Sequence, residues 1–153
     1  MRELTKRGLE LIKKHEGWRS EPYLDVAGIP TIGYGFTWYP DSGMPVSMDD
    51  KPISKKEGER LLKIIVRKFE FEVDELVSSC LKPNQFDALV SFTYNVGVGA
   101  FLNSTLLKRV NKDPNDPDID RQFQRWNKAG GRVWSGLVKR REEESWLYFE
   151  HKR

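Results

Sequence analysis

The chain has 153 residues, of which 38% are hydrophobic and 32% charged, and its formal net charge is +3. This length and composition predict one globular domain with a core of its own and exclude a disordered chain. No stretch approaches the roughly 18 apolar residues of a membrane-spanning helix. A single cysteine, Cys80, excludes an intramolecular disulfide and is predicted to be a small apolar filler near a helix end.

The charge is unevenly distributed along the chain. Residues 1–53 hold seven Lys/Arg against eight Asp/Glu, whereas residues 121–153 hold nine against four. The basic C-terminal third suits an anionic partner, such as a cell-wall polymer or a nucleic acid, but a solvated helix face explains it equally well. The first 15 residues carry five basic residues and no apolar run, so the sequence predicts no signal peptide and synthesis in a cytoplasm.

The N-terminal third combines one helix with a hairpin region. Leucine and isoleucine spacing predicts a helix over 3–16, and Gly17 suits the position just past its end. Residues 18–38 are typical of short strands and a hairpin, and residues 39–53 of a turn-rich surface loop.

The rest of the chain is predicted to be helical. Ser54 and Glu57 form a capping-box pattern that predicts a long helix over 54–78. Pro83 suits the first turn of the next helix, about 84–95, which is apolar on most sides and is therefore predicted to be buried and central. Further predictions are a turn at 97–101, helices at about 104–110, 119–128 and 136–150, a break at 129–132, and a Ser135 cap on the last helix. The fold class is α+β, mostly helical with a small N-terminal hairpin region.

Residues 15–37 contain the chemically most informative residues. Glu16 lies at the C-terminal end of the first helix, where the helix dipole disfavours ionisation and favours a proton donor. Asp25 lies in a polar turn that suits a base, and Thr31 offers a hydroxyl that can hold a water. Two carboxyls in contrasting environments suit general acid/base hydrolysis. From these residues alone, an ordinary last-turn glutamate and an ordinary turn aspartate remain the stronger alternative.

The spacing of these residues resembles a known family signature. The pattern resembles the signature of phage-type lysozymes, the endolysins of glycoside hydrolase family 24. It consists of Glu16, eight intervening residues, Asp25, five intervening residues, and Thr31 followed directly by Ile-Gly-Tyr-Gly. The segments that begin at Gln85, Phe101 and Gly136 resemble the family's central helix, the helix after it and its closing helix.

This resemblance implies a single lysozyme-like domain over 1–153. Its parts would be a small β lobe at about 17–53, a connecting helix at about 54–78, and a helical lobe at about 79–153 packed with helix 3–16. A cleft between the lobes would hold the substrate.

The resemblance also implies hydrolysis of the β-1,4 bond between N-acetylmuramic acid and N-acetylglucosamine in peptidoglycan, with host-cell lysis as the outcome. Glu16 would be the general acid, while Asp25 and Thr31 would position and activate the water, with inversion at the sugar carbon. The expected partner is the glycan strand. No cofactor, metal, nucleic acid or membrane span is expected, and the chain would act as a monomer after a separate membrane-permeabilising protein gives access to the wall.

The resemblance further implies sugar contacts at Thr37, Tyr94, Asn95 and Ser104. Tyr94 fits a core position equally well, and Ser104 fits a helix cap. Two tryptophans, Trp126 and Trp134, suit the core better than a sugar platform.

Three other functions are compatible with parts of the sequence. A lysozyme-like module could bind peptidoglycan without cleaving it, and the complete Glu16, Asp25 and Thr31 set argues against this. The basic C-terminal third could bind nucleic acid, although it carries no known nucleic-acid motif and includes Glu142–Glu144. A transglycosylase outcome, in which an internal hydroxyl replaces water, also remains open.

Overall fold

The computed structural model describes residues 1–150, and over these residues far more of the chain is helical than in strands. The helices are α1 (Lys6–Glu16), α2 (Lys55–Leu76), α3 (Pro83–Val96), α4 (Val98–Leu102), α5 (Thr105–Lys112), α6 (Asp118–Gln124) and α7 (Ser135–Phe149). The strands are β1 (Arg19–Leu24), β2 (Pro30–Gly33), β3 (Lys128–Ala129) and β4 (Arg132–Val133), and they form two antiparallel pairs, β1–β2 and β3–β4. The predicted α+β class is confirmed.

The chain forms two compact units. The hairpin unit comprises Lys13–Lys68, and the helical unit comprises Met1–Ile12 together with the described residues from Phe69 onward. Helix α2 contributes residues to both units. The lobe boundaries predicted from the sequence stay a prediction, and residues 151–153 of the predicted helical lobe lie outside the described residues.

Helix α1 is shorter at its start than predicted. The backbone N–H groups of Leu4 and Thr5 donate to the carboxylates of Glu70 on α2 and Asp87 on α3. These bonds hold residues 3–5 in place before the helix, which begins at Lys6. At the other end, the Gly17 N–H donates to the Lys13 carbonyl over 2.9 Å with φ +70°, which confirms the predicted glycine stop.

The predicted starts of α2 and α3 are largely confirmed. The Ser54 hydroxyl accepts from the Glu57 N–H over 3.1 Å, as a capping residue should. The second half of the predicted capping box is wrong, because the Glu57 carboxylate binds Arg60 instead. Pro83 is the first residue of α3, and residues 84–93 are all buried, so the predicted central helix is confirmed.

The region after α3 differs most from the prediction. A short helix, α4, occupies most of the predicted turn at 97–101. Helix α6 ends at Gln124, and the predicted break at 129–132 is the turn of the β3–β4 hairpin. Gly130 and Gly131 both have positive φ, at 59° and 78°, which a tight two-residue hairpin turn requires. Ser135 does not cap α7, because it is the first helical residue and Trp134 precedes it as the N-cap.

The core of the helical unit is aromatic around Phe92 of α3. Its ring meets Phe101, Phe123 and Trp126 edge to face, with centroid distances of 5.5–6.1 Å. Next to it, Glu144 pairs with Arg140 and Arg141 while all three are almost fully buried. Breaking such a buried group by removing one member is costly, because the remaining charge would lie unpaired in the core.

The prediction for Cys80 is wrong, because this cysteine is exposed.

Candidate active site

Glu16 is the last residue of α1, and its carboxyl lies against the backbone of Gly35. A Cβ atom on Gly35 would come within 2.3 Å of the Glu16 carboxyl oxygen. Gly35 also has a φ of +81°, in the short loop closed by the backbone bonds between Ile32 and Phe36. Only glycine satisfies both conditions, so the Ile-Gly-Tyr-Gly stretch makes room for this carboxyl.

The end of α1 is attached to α2 by a half-buried polar contact. Lys13 Nζ lies 2.6 Å from one Glu59 carboxylate oxygen, and the Tyr34 hydroxyl donates to the other over 2.7 Å. Burial favours the neutral acid, but the hydrogen bonds from Lys13 and Tyr34 outweigh it, and the pKa of Glu59 is lowered. The Trp18 ring packs on Tyr34 at 5.0 Å and covers Gly58. These contacts hold the end of α1, which carries Glu16, against α2.

Asp25 shapes the turn between β1 and β2. Its Oδ1 accepts hydrogen bonds from the N–H groups of Ala27 (2.8 Å) and Ile29 (2.9 Å), and the Gly28 N–H donates to its carbonyl. Within residues 1–150, no hydrogen bond reaches its Oδ2. The carboxylate is therefore held by one oxygen and offers the other to a ligand.

Thr31 lies on β2 and is only 3% exposed. Its hydroxyl donates to the Ile29 carbonyl over 2.8 Å. Because a hydroxyl has one hydrogen, Thr31 can bind a further group only as an acceptor.

Tyr23 lies close to the candidate residues, although the sequence indicated only a strand residue at this position. It pairs with Thr31 across the β1–β2 ladder, and the Arg19 guanidinium lies 4.4 Å from its ring centroid. Burial raises the pKa of the Tyr23 phenol, the charges of Glu16 and Asp25 raise it further, and Arg19 opposes them. Both carboxylates therefore act on one phenol, which stays protonated. Its pairing with Thr31 depends on strand register, which the sequence alone does not determine.

The structure distributes the predicted sugar-binding residues over both units. Thr37, in the hairpin unit, is half-buried, and its carbonyl accepts from the Val46 N–H. In the helical unit, Tyr94 packs on Phe69 at 5.2 Å and Asn95 is exposed. Ser104 is the N-cap of α5, accepting from the Leu107 N–H and donating to the Phe101 carbonyl. Sugar contacts at these four residues stay predictions.

Each unit also contains an open pocket. In the helical unit, a pocket of about 290 Å³ is lined by Asn103, Ser104, Thr105, Arg125 and Trp126. In the hairpin unit, a pocket of about 440 Å³ lies beside Tyr39, Asp50 and Leu61, and none of the predicted site residues is in its lining. Over residues 1–150, no three His, Cys, Asp or Glu side chains are grouped so as to hold a metal ion.

Comparison with known proteins identifies close similarities. The sequence profile of the phage lysozyme family matches residues 13–144. The endolysin of Bacillus phage B103 is 42% identical over 147 residues, covering 95% of this chain and 53% of that protein. The endolysin of Salmonella phage P22 is 34% identical, covering 95% of this chain and 97% of the relative. The chain therefore spans about half the length of the Bacillus phage relative and almost all of the P22 relative.

Solved structures show the same similarity. The endolysin from Escherichia coli O157:H7 phage FAHEc1 superposes with a TM-score of 0.87 at 38% identity, covering 97% of this chain and 94% of that one. A mutant of P22 lysozyme superposes with a TM-score of 0.80 at 33% identity, covering 97% and 99%. No helix in residues 1–150 combines the length and apolar character needed to cross a bilayer.

Proposed function

The chain belongs to the phage lysozyme family, and from this premise we propose that it is a muramidase that hydrolyses the β-1,4 bond between N-acetylmuramic acid and N-acetylglucosamine in peptidoglycan. What supports the proposal is that Glu16, Asp25 and Thr31 lie in one unit, with the Glu16 carboxyl against the Gly35 backbone and one Asp25 carboxylate oxygen without a hydrogen bond in residues 1–150. A pair of carboxylic acids is the usual equipment for cleaving a glycosidic bond. The biological role is degradation of the wall and lysis of the host cell.

Glu16 is assigned as the general acid, which protonates the leaving glycosidic oxygen. It is the last residue of α1, and its carboxyl lies against the Gly35 backbone. Its contact with Gly35 limits the rotamers of the side chain, so the proton is held in one direction.

Asp25 and Thr31 are assigned to the attacking water. The Thr31 hydroxyl has already donated its hydrogen to Ile29, and Asp25 keeps a carboxylate oxygen for a ligand. A water that donates one hydrogen to each of them points a lone pair at the sugar carbon. Asp25 then takes the proton that the water loses, as a general base.

Thr37, Tyr94, Asn95 and Ser104 are proposed to contact the glycan strand. Ser104 would do so as an acceptor, since its hydrogen is used by Phe101. We propose further that the chain acts as a monomer, is made in the bacterial cytoplasm and reaches the wall through a separate membrane-permeabilising protein. Cytoplasmic expression should then lyse cells only after a permeabilising agent is added.

Digestion of purified peptidoglycan followed by mass spectrometry tests the reaction. Fragments with reducing N-acetylmuramic ends are expected. Anhydro-muramic ends would instead indicate a transglycosylase, and cut peptides would contradict glycosidase activity. Binding without any product would indicate a peptidoglycan-binding module.

A further inference from the structure

A basic segment of the helical unit has no part in the proposed reaction. From Arg121 to Arg141 the sequence contains seven Lys or Arg and no Asp or Glu. Three of these cations have carboxylate partners: Arg121 binds Asp118, and Arg140 and Arg141 pair with buried Glu144. The remaining four are exposed: Arg125, Lys128, Arg132 and Lys139.

These four cations have no carboxylate partner within ion-pair distance anywhere in residues 1–150. Within residues 1–150, the Arg125 guanidinium donates only to the neutral amide oxygen of Gln122, over 2.9 Å. Lys128 lies on β3 and Arg132 on β4, so the hairpin carries unneutralised charge on both strands. We call residues 125–134 the basic hairpin. Such a surface attracts an anionic partner.

The basic hairpin also presents an oriented tryptophan. Trp134 is 42% exposed, so its predicted place in the core is wrong. Its indole N–H donates to the Ala129 carbonyl over 3.0 Å, and its backbone N–H donates to Asn127 over 3.0 Å. Because the polar atom of the indole is already bonded within the hairpin, the exposed part is apolar ring surface held in one orientation. Rigid aromatic surface of this kind gives contact area at low entropic cost.

We propose that the basic hairpin is a second peptidoglycan-binding surface, in which Trp134 stacks on a sugar ring while Lys128 and Arg132 pair with carboxylates of the peptide stems. The choice of ligand rests on the proposed muramidase function. Peptidoglycan presents both required chemistries, sugar rings and carboxylates, on one strand.

Two other anionic polymers fit the basic hairpin less well. An anionic lipid surface would favour a broad apolar face, whereas the hairpin exposes only Val133 and Trp134 as large apolar side chains. Nucleic acid binding depends on many phosphate contacts, whereas the basic hairpin offers three cations, Arg125, Lys128 and Arg132.

The test measures binding of purified insoluble peptidoglycan by chains that also carry Glu16→Gln, so that cleavage does not consume the ligand. In this background, Trp134→Ala and the double variant Lys128→Glu with Arg132→Glu should each weaken binding by about tenfold. Trp134→Phe should restore most of the affinity, because it keeps an aromatic ring. Binding by the double charge variant should also depend less on salt.

Matched controls separate this site from general charge and apolar exposure. Lys6→Glu with Lys82→Glu makes the same charge change on exposed residues of the same unit, and Phe71→Ala removes another exposed aromatic ring. Both controls should bind as tightly as the chain carrying Glu16→Gln alone. Melting temperatures check folding.

Parent-like binding by both hairpin variants would overturn the proposal. It would equally be overturned if they lost only retention of DNA or of anionic phospholipid vesicles. A failed muramidase assignment appears in a different measurement, as missing cleavage products from the chain with Glu16 intact.

Discussion

Glu16 supplies the proton in the proposed reaction, so its removal is the most direct test at the residue scale. Glu16→Gln keeps the volume of the side chain and removes the acid. Clearing of cell-wall suspensions should fall by roughly 100-fold or more, with folding nearly unchanged. Glu21→Gln makes the same chemical change on an exposed β1 residue and should clear at the parent rate. A Glu16→Gln chain that clears walls normally would show that another group is the acid.

Gly35 tests whether the Glu16 carboxyl must be held in its observed position. Gly35→Ala places a methyl group where the carboxyl oxygen lies and also strains a positive φ. Gly43→Ala is the matched control, because Gly43 has a similar φ of +73° and no atom within 4 Å of the added Cβ. Both variants should lose about 1–2 kcal/mol of unfolding free energy from the backbone strain. Only Gly35→Ala should also lose most of its wall-clearing activity, and equal activities would refute the positioning role.

At the scale of elements, two carboxylates with opposite pKa shifts bind the segment before α1. The Asp87 carboxylate accepts hydrogen bonds from the backbone N–H and the hydroxyl of Thr5. Burial nevertheless raises its pKa above the ordinary 3.8. Asp74 pairs with Arg2 at 2.7 Å, and the bond from this guanidinium lowers its pKa. Both residues connect the N-terminal segment to the helical unit.

The two shifts predict opposite pH dependences. A carboxyl whose pKa is higher in the folded chain than in the unfolded chain stabilises the fold below the unfolded pKa, and this stability is lost as pH rises. The excess in unfolding free energy of the parent over Asp87→Asn should therefore shrink from about pH 4 upward. A carboxyl whose pKa is lower in the folded chain stabilises the fold above the unfolded pKa, and this stability is lost as pH falls. The excess in unfolding free energy of the parent over Asp74→Asn should therefore shrink below about pH 4. Urea unfolding across this range measures both, and parallel profiles would contradict the two causes.

Local patterns predicted most elements, and long-range contacts explain the differences. The spacing that predicted a helix over 3–16 contains nothing to reveal that Glu70 and Asp87 would bind the N–H groups of residues 4 and 5. The Gly-Gly pair at 130–131 was recognised as a break, but the strands beside it have two residues each, too few for an alternating pattern. The exposure of Trp134 likewise depends on that hairpin, since hydropathy alone favours a buried position.

At the scale of the whole molecule, the family signature selected candidate site residues that local chemistry alone did not select. Residue chemistry left Glu16 and Asp25 as ordinary helix-end and turn residues, and the motif selected them. The folded hairpin unit contains them together with Thr31 and adds Tyr23 through strand register. Register depends on which residues pair across the turn, so it becomes certain only when the hairpin is seen.

The stereochemistry of the product tests how these residues work together. Thr31 can only accept a further hydrogen bond, and Asp25 is held by one oxygen, which suits a shared water better than direct attack by Asp25 on the sugar. Room for that water requires a separation of roughly 6.5–9.5 Å between the Glu16 and Asp25 carboxyls, against about 5–5.5 Å in retaining enzymes. Water then enters opposite the leaving group, so the β-linkage should yield the α anomer first. NMR of freshly released sugar, recorded before mutarotation, measures this. A β anomer at early times, or a glycosyl ester trapped on Asp25, would show that Asp25 is a nucleophile and that Thr31 does not position the attacking water.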